Sequence, residues 1–183
     1  LEIKKRKNIN ILDLGFGAGG SNLFFLNKEK FKVYGIEKSK NAFQIIKKKI
    51  KKNNLDKKIY ILEDINNSFW FEILKRSKLG LCFYKQSSLS HKHMAGTSQK
   101  FNNYLFFNIP MIVNDNLDFR TFKKTHDIFE IVDPKKPKKI AQKIIKIFSR
   151  KIRYQKIKKN MKKAFDKNLN FDKQFTNSYK KFI

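Results

Sequence analysis

Gly96, Thr97, Ser98 and Lys100 stand just ahead of and inside a predicted helix, and residues of those types in that order suit an anion. The first turn of a helix has backbone N–H groups without intrahelical partners and a partial positive charge, so a phosphate can settle there. The Thr97 and Ser98 hydroxyls and the Lys100 ammonium would add to its hold, and a diphosphate fits such a place. A second phosphate-type signal lies upstream. Gly15-Phe16-Gly17-Ala18-Gly19-Gly20-Ser21 has G-x-G-x-x-G spacing directly after an apolar run, where glycines permit a tight turn and close backbone approach to a phosphate. Glu37, 17 residues beyond Gly20, could bind a ribose diol. Tyr84 and Lys85 could touch a base or a diphosphate. His91 and His93 flank Lys92 at a spacing that could serve a phosphate or a metal, but they lack Cys or carboxylate companions, and two such histidines in a polar loop are more often idle. His126 reads the same way.

These residues need a scaffold, and the hydrophobic pattern supplies one. Predicted strands at Ile9–Leu14, Lys32–Glu37, 58–63, 79–84, 110–114 and 128–132 alternate with predicted helices at Ser21–Lys28, Asn41–Asn53, 68–76, 98–107, 118–124 and 137–149. Phe43, Ile46 and Ile50 share one side of the second helix, and Phe101, Tyr104 and Leu105 share one face of the helix that leads through Asn108-Ile109-Pro110 into Met111-Ile112-Val113. Such alternation calls for an α/β fold: a mostly parallel, Rossmann-like sheet with helices on both faces. Ligands in that architecture bind beyond the carboxyl ends of the strands, which directs attention to the loops after Leu14, Glu37, Asp64 and Tyr84. A last aromatic stripe, Phe171, Phe175, Tyr179 and Phe182, has helical spacing and reads as packing surface.

Composition limits the rest. A chain of 183 residues with 40% hydrophobic and 14% aromatic residues can bury a real core as one domain. The formal charge of +28 suits a polyanion, yet only five of the 43 basic residues are Arg, the side chain favoured for base and phosphate recognition. Lys, Ile, Asn and Phe, which share A/T-rich codons, are abundant together, and runs such as Lys47-Lys48-Lys49 fall on solvent faces of helices. No specific nucleic-acid partner is expected, and a basic protein that binds nucleic acid without regard to sequence stays as an alternative reading of the charge. The single cysteine, Cys82, sits in an apolar run and reads as a buried thiol in a reducing compartment. No apolar run approaches the roughly 18 residues of a membrane span. Leu1-Glu2-Ile3-Lys4-Lys5-Arg6 lacks the shape of a signal peptide, so the cytoplasm is the expected location.

The stretch from Ser98-Gln99-Lys100 through Asn103-Tyr104-Leu105 to Pro110-Met111-Ile112 resembles the nucleotide-sugar-binding half of GT-B glycosyltransferases. Their recurring pattern is a small residue or two, Ser, Lys, a Glu-Tyr-Leu helix, a short turn and Pro-Val-Ile. Residues 59 to 148 follow that half in order. The resemblance implies a glycosyltransferase whose UDP- or GDP-linked sugar donor is a substrate, with no further cofactor and no metal. It implies donor contacts from Gly15, Phe16, Gly17, Asp64, Tyr84, Gly96, Thr97, Ser98, Lys100 and Asn103. Asn103 departs from the pattern, for the family usually has there the Glu that grips the ribose hydroxyls. One Rossmann-like donor-binding domain is expected over residues 1–183, with 150–183 as a C-terminal helical extension. The N-terminal acceptor domain, which in the family carries most of the catalytic base and acceptor pocket, is absent from the sequence. Acceptors of such enzymes include lipid-linked and surface glycans, and the lysine-rich faces could meet an anionic inner membrane leaflet.

A rival resemblance covers the first third. Ile11-Leu12-Asp13-Leu14-Gly15-Phe16-Gly17-Ala18-Gly19, Tyr34-Gly35-Ile36-Glu37 and Glu63-Asp64-Ile65 are similar to the cofactor motifs of S-adenosylmethionine-dependent methyltransferases. Those enzymes usually finish their sheet with an antiparallel hairpin, and no hairpin signal follows Asp133. A nicotinamide dehydrogenase is a third reading, on the glycine spacing alone.

Overall fold

The computed structural model describes residues 9–55, 58–63, 67–84, 93–170 and 172–173. Six strands form a single sheet: β1 Asn10–Leu14, β2 Lys32–Glu37, β3 Ile59–Glu63, β4 Leu79–Cys82, β5 Met111–Asn114 and β6 Phe129–Val132. Their order is β3-β2-β1-β4-β5-β6, and every pairing is parallel. The helices are α1 Ser21–Lys28, α2 Lys40–Lys52, α3 Asn67–Arg76, α4 Gln99–Phe106, α5 Leu117–Thr125, α6 Pro137–Ser149 and α7 Lys151–Ala164, with a π-helical turn at Phe165–Leu169. The expected α/β, Rossmann-like sheet is therefore present, and no antiparallel strand occurs among the described residues.

Right-handed crossovers fix the layers. The chain steps outward from β1 to β2 to β3, returns to β4 beside β1, and then steps the other way. Helices α1 and α2 therefore cover one face, and α3, α4 and α5 the other; α6 returns to pack against α1. This reversal between β1 and β4 is a topological switch point, where a crevice opens above the carboxyl ends of adjacent strands.

The central strands read as continuous apolar runs because both faces are covered. Leu79, Gly80, Leu81 and Cys82 are all buried, as are Met111, Ile112, Val113 and Asn114. Gly80 is the one gap in that layer, and the ring of fully buried Tyr104 fills it: a Cβ built on Gly80 would lie 2.5 to 2.6 Å from three ring carbons. The Tyr104 hydroxyl then donates to the carbonyl oxygens of Leu12 at 3.1 Å and Leu81 at 3.3 Å, which locks α4 onto the seam between β1 and β4.

Strand β4 is shorter than the expected 79–84. Asn114, 1% exposed, takes over at its end: its Oδ1 accepts from the Tyr84 N–H at 2.6 Å and its Nδ2 donates to the Tyr84 carbonyl at 3.1 Å. A side chain thus replaces the next rung of the ladder and turns Tyr84 out of the sheet. Beyond α6, Arg153 ties α7 to the body through Asp127 and Glu130. The expected aromatic stripe of Phe171, Phe175, Tyr179 and Phe182 lies outside the described residues. No helix among the described residues is long and apolar enough to cross a membrane.

Candidate functional site

Three chain segments meet above the switch point. The first is the glycine turn after β1. Gly15 (φ 65°) and Gly17 (φ 64°) are left-handed, which requires glycine-like freedom, and the Gly15 N–H still bonds the Ile36 carbonyl at 2.7 Å. Phe16 points down: a Cβ on Gly35 would lie 2.5 Å from its ring, so the ring packs on bare backbone inside the core. The Gly17 N–H donates to Glu37 Oε2 at 2.7 Å, while Glu37 Oε1 accepts from the Ser39 N–H at 3.0 Å. Glu37 thus holds the glycine turn through one oxygen and the amide of Ser39, the N-cap of α2, through the other.

The second segment is the start of α4. Ser98 is its N-cap, with Oγ accepting from the Phe101 N–H at 3.0 Å. That leaves the first-turn amides of Gln99 and Lys100 without intrahelical acceptors. Gly96 (φ 77°) makes the turn ahead of the cap; Ala95 N–H donates to Asp118 Oδ2 at 2.7 Å, and Thr97 Oγ1 donates to the His93 carbonyl at 2.8 Å. The Thr97 hydroxyl, expected to face an anion, is used in this turn.

Tyr84 is the third segment. Its hydroxyl bonds Ser98 Oγ and lies 3.1 Å from Cys82 Sγ, and Lys100 Nζ sits 5.4 Å from its ring centroid. Burial raises the Tyr84 hydroxyl well above its ordinary pKa and pushes the Cys82 thiol up to about 11, so both are neutral hydrogen-bonding groups at neutral pH.

Lys100 joins the three segments. Its Nζ lies 4.0 Å from the position a Cβ would take on Gly15, so the ammonium hangs over the glycine turn with Tyr84 beside it. Asn103, half-buried, follows three residues later on the same face of α4, about 4.5 Å further along the axis. Gly15, Tyr84, Ser98 and Lys100 are therefore brought together as the sequence suggested. Asp64, Lys85 and His91 lie outside the described residues. His93 is exposed, and the His126 ring lies tilted against Phe122 with centroids 4.9 Å apart, where burial lowers its pKa. No group of metal-binding side chains occurs among the described residues.

Sequence reasoning passed over the two buried polar residues beneath this site. Asp13, 4% exposed, is the last residue but one of β1, and Asn114 is the last of β5. Each interrupts an apolar strand at its carboxyl end, the position where a side chain must serve either a ligand or a loop.

No protein-family model matches the chain, and no curated protein matches it by sequence. Solved structures do match in fold. Sucrose-phosphate synthase from Thermosynechococcus elongatus superposes with a TM-score of 0.67 at 12% identity, over 100% of this chain and 46% of that one. A glycosyltransferase from Rickettsia africae gives 0.68 at 16% identity, over 94% and 47%. Anabaena Alr3699/HepE, solved in complex with UDP-glucose, gives 0.68 at 8% identity, over 96% and 50%. The chain thus has a fold found in GT-B glycosyltransferases, and it spans about half the length of these structures. Among the described residues β6 continues the sheet in parallel from β5, at the place where the methyltransferase resemblance leads to an antiparallel hairpin.

Proposed function

We propose that this chain is the donor-binding half of a glycosyltransferase that transfers a sugar from a UDP- or GDP-linked donor to a glycan or lipid-linked acceptor. The observation that carries the reading is the meeting of the Gly15 turn, Tyr84, the Ser98-capped start of α4 and Lys100 at the switch point. Breaking a sugar–phosphate bond leaves negative charge on the departing diphosphate. Preorganised donors and a cation aimed at that charge lower the barrier, and the α4 amides with Lys100 would supply them without a metal. The catalytic base and the acceptor pocket belong to an N-terminal domain outside this sequence. The enzyme would work in the cytoplasm, with its lysine-rich faces available to the inner membrane leaflet.

Thermal denaturation with UDP, GDP, S-adenosylmethionine, NAD and a short DNA duplex tests this. UDP or GDP at a hundred times its dissociation constant should add about 2.7 kcal/mol of stability, and S-adenosylmethionine none. Stabilisation by S-adenosylmethionine in place of the nucleotides would overturn the assignment.

Asn103 gives a finer test. An amide oxygen accepts a ribose hydroxyl without the charge a carboxylate brings, so Asn103→Glu should tighten UDP binding by about 1 kcal/mol. The gain should vanish with a 2′,3′-dideoxyribose analogue. Equal tightening of both ligands in calorimetry would mean that position 103 does not face the ribose.

A further inference from the structure

Beneath the start of α4, three side chains form one hydrogen-bonded row. Asn114 turns Tyr84 out of the sheet, and the Phe119 ring and the Lys100 ammonium lie against its ring, at 6.4 and 5.4 Å from its centroid. The Tyr84 hydroxyl is thereby set between two partners, the Sγ of fully buried Cys82 at 3.1 Å and the Oγ of Ser98. Ser98 Oγ also accepts the Phe101 N–H at 3.0 Å. These bonds restrict where the protons lie. A phenol is a stronger acid than an alkyl hydroxyl, hence the better donor of the pair, and sulfur is a weak acceptor. The favoured direction runs from the Cys82 S–H to the Tyr84 oxygen and from the Tyr84 O–H to Ser98 Oγ. A serine oxygen has two acceptor positions and one proton. With both positions taken, by Tyr84 and by Phe101, the Ser98 proton must leave the row at the half-buried mouth of α4. The reverse direction would turn that proton inward and present an anion with a lone pair instead.

Resting on the donor reading above, we propose that Tyr84 is a positioning residue of this site: with Cys82 behind it, its hydroxyl commits the Ser98 proton to the diphosphate of the donor, beside the first-turn amides of α4. Tyr84 acts through Ser98 and does not itself touch the phosphates. An anion at the mouth of α4 stabilises the one direction of donation, and each bond in the row then strengthens the next. Every proton stays on its own heavy atom, and no bond in the donor breaks.

Cys82 is the only cysteine of the chain, so its S–H stretch in the infrared reports on this row alone. UDP, GDP and inorganic pyrophosphate should each move the band to lower frequency, and uridine should leave it in place. Tyr84→Phe keeps the ring but should abolish the shift and weaken UDP binding about tenfold in calorimetry. Ser98→Ala should do the same, and the double variant should lose no more than the larger single loss, because the two hydroxyls act as one chain. Ser98→Thr, which keeps both hydroxyl and cap, should retain the shift and the affinity. The wild-type shift is measured without any substitution, so it decides the matter where a variant fails to fold. UDP binding with an unmoved band, a band that uridine moves as well, or Tyr84→Phe binding UDP as tightly as wild type overturns the role of Tyr84 and leaves the donor reading standing. A shift with pyrophosphate but no binding of UDP or GDP supports the row and overturns the donor reading. Binding of none of the three overturns both.

Discussion

Gly80→Ala is expected to lower the stability of this domain by about 3 kcal/mol, although it adds a single methyl group to a buried strand. The added carbon would sit 2.5 to 2.6 Å from the far end of the Tyr104 ring. That ring is fully buried, and its hydroxyl is tied to the Leu12 and Leu81 carbonyls, so it cannot retreat without breaking those bonds. Overpacking costs about 1 to 3 kcal/mol, and a buried hydroxyl left without its acceptors adds a similar amount. Gly35→Ala provides the comparison. The methyl there would also fall 2.5 Å from a ring, that of Phe16, but Phe16 is a hydrocarbon side chain with no hydrogen bond to lose, so only the overpacking cost applies. Urea denaturation of the two variants should therefore separate them, with Gly35→Ala losing about 1 kcal/mol. Equal losses would mean that the Tyr104 hydroxyl bonds do not restrain α4.

Gly80 and Tyr104 also explain how the candidate site is held. Lys100 lies about one turn before Tyr104 on the same short helix and Ser98 caps its start, so the seam that Tyr104 locks is the seam the anion would straddle. A shift of α4 would move Lys100 from the Gly15 turn and Ser98 from Tyr84 together. Donor binding and stability should consequently fall in parallel across substitutions at position 80.

Much of this arrangement was legible in the sequence because it depends on local signals. The six strands announce themselves as short apolar runs, the Ser98 cap precedes an amphipathic helix, and the glycine turn follows a strand directly. Residues that act across the chain were not legible. Asn114 ends β4 from 30 positions away, which no pattern within 79–84 could reveal. Glu37 had the spacing of a ribose ligand, and its bond to the Gly17 amide, 20 positions away, could not be read from that spacing. Asp13 was visible as a carboxylate in an apolar run, yet its burial between β2 and β4 follows only from the pairing of the strands.

The attachment of α7 is the clearest case of a nonlocal device. Arg153→Met is expected to cost about 3 kcal/mol and to release α7 before the rest of the domain unfolds. Arg153 donates to Asp127 Oδ2 at 2.7 Å and Oδ1 at 2.9 Å, and to Glu130 Oε1 at 2.6 and 2.9 Å. The side chains are 22%, 34% and 13% exposed, so the pairing is only partly screened, and removing the guanidinium strands two half-buried carboxylates. Lys123 and Lys143 remain as partners for Asp127 and Glu130, which keeps the loss below that of a fully buried pair. The Arg153 hydrogen bonds hold Asp127 well below its ordinary 3.8; at Glu130 burial pushes upward, but Arg153, Lys123 and Lys143 overcome it and hold the carboxyl below 4.5. Depressed carboxylates contribute stability that is present above their unfolded pKa and disappears as pH falls through the folded one. The gap between wild type and Arg153→Met should thus be full above about pH 5 and narrow steadily below about pH 4. Hydrogen exchange should report lost protection first in residues 151–164. Unchanged stability and protection in the variant would mean that burial of Ile157, Met161 and Ala164, with the Asn160 hydrogen bond to the Asp127 carbonyl, holds α7 in place.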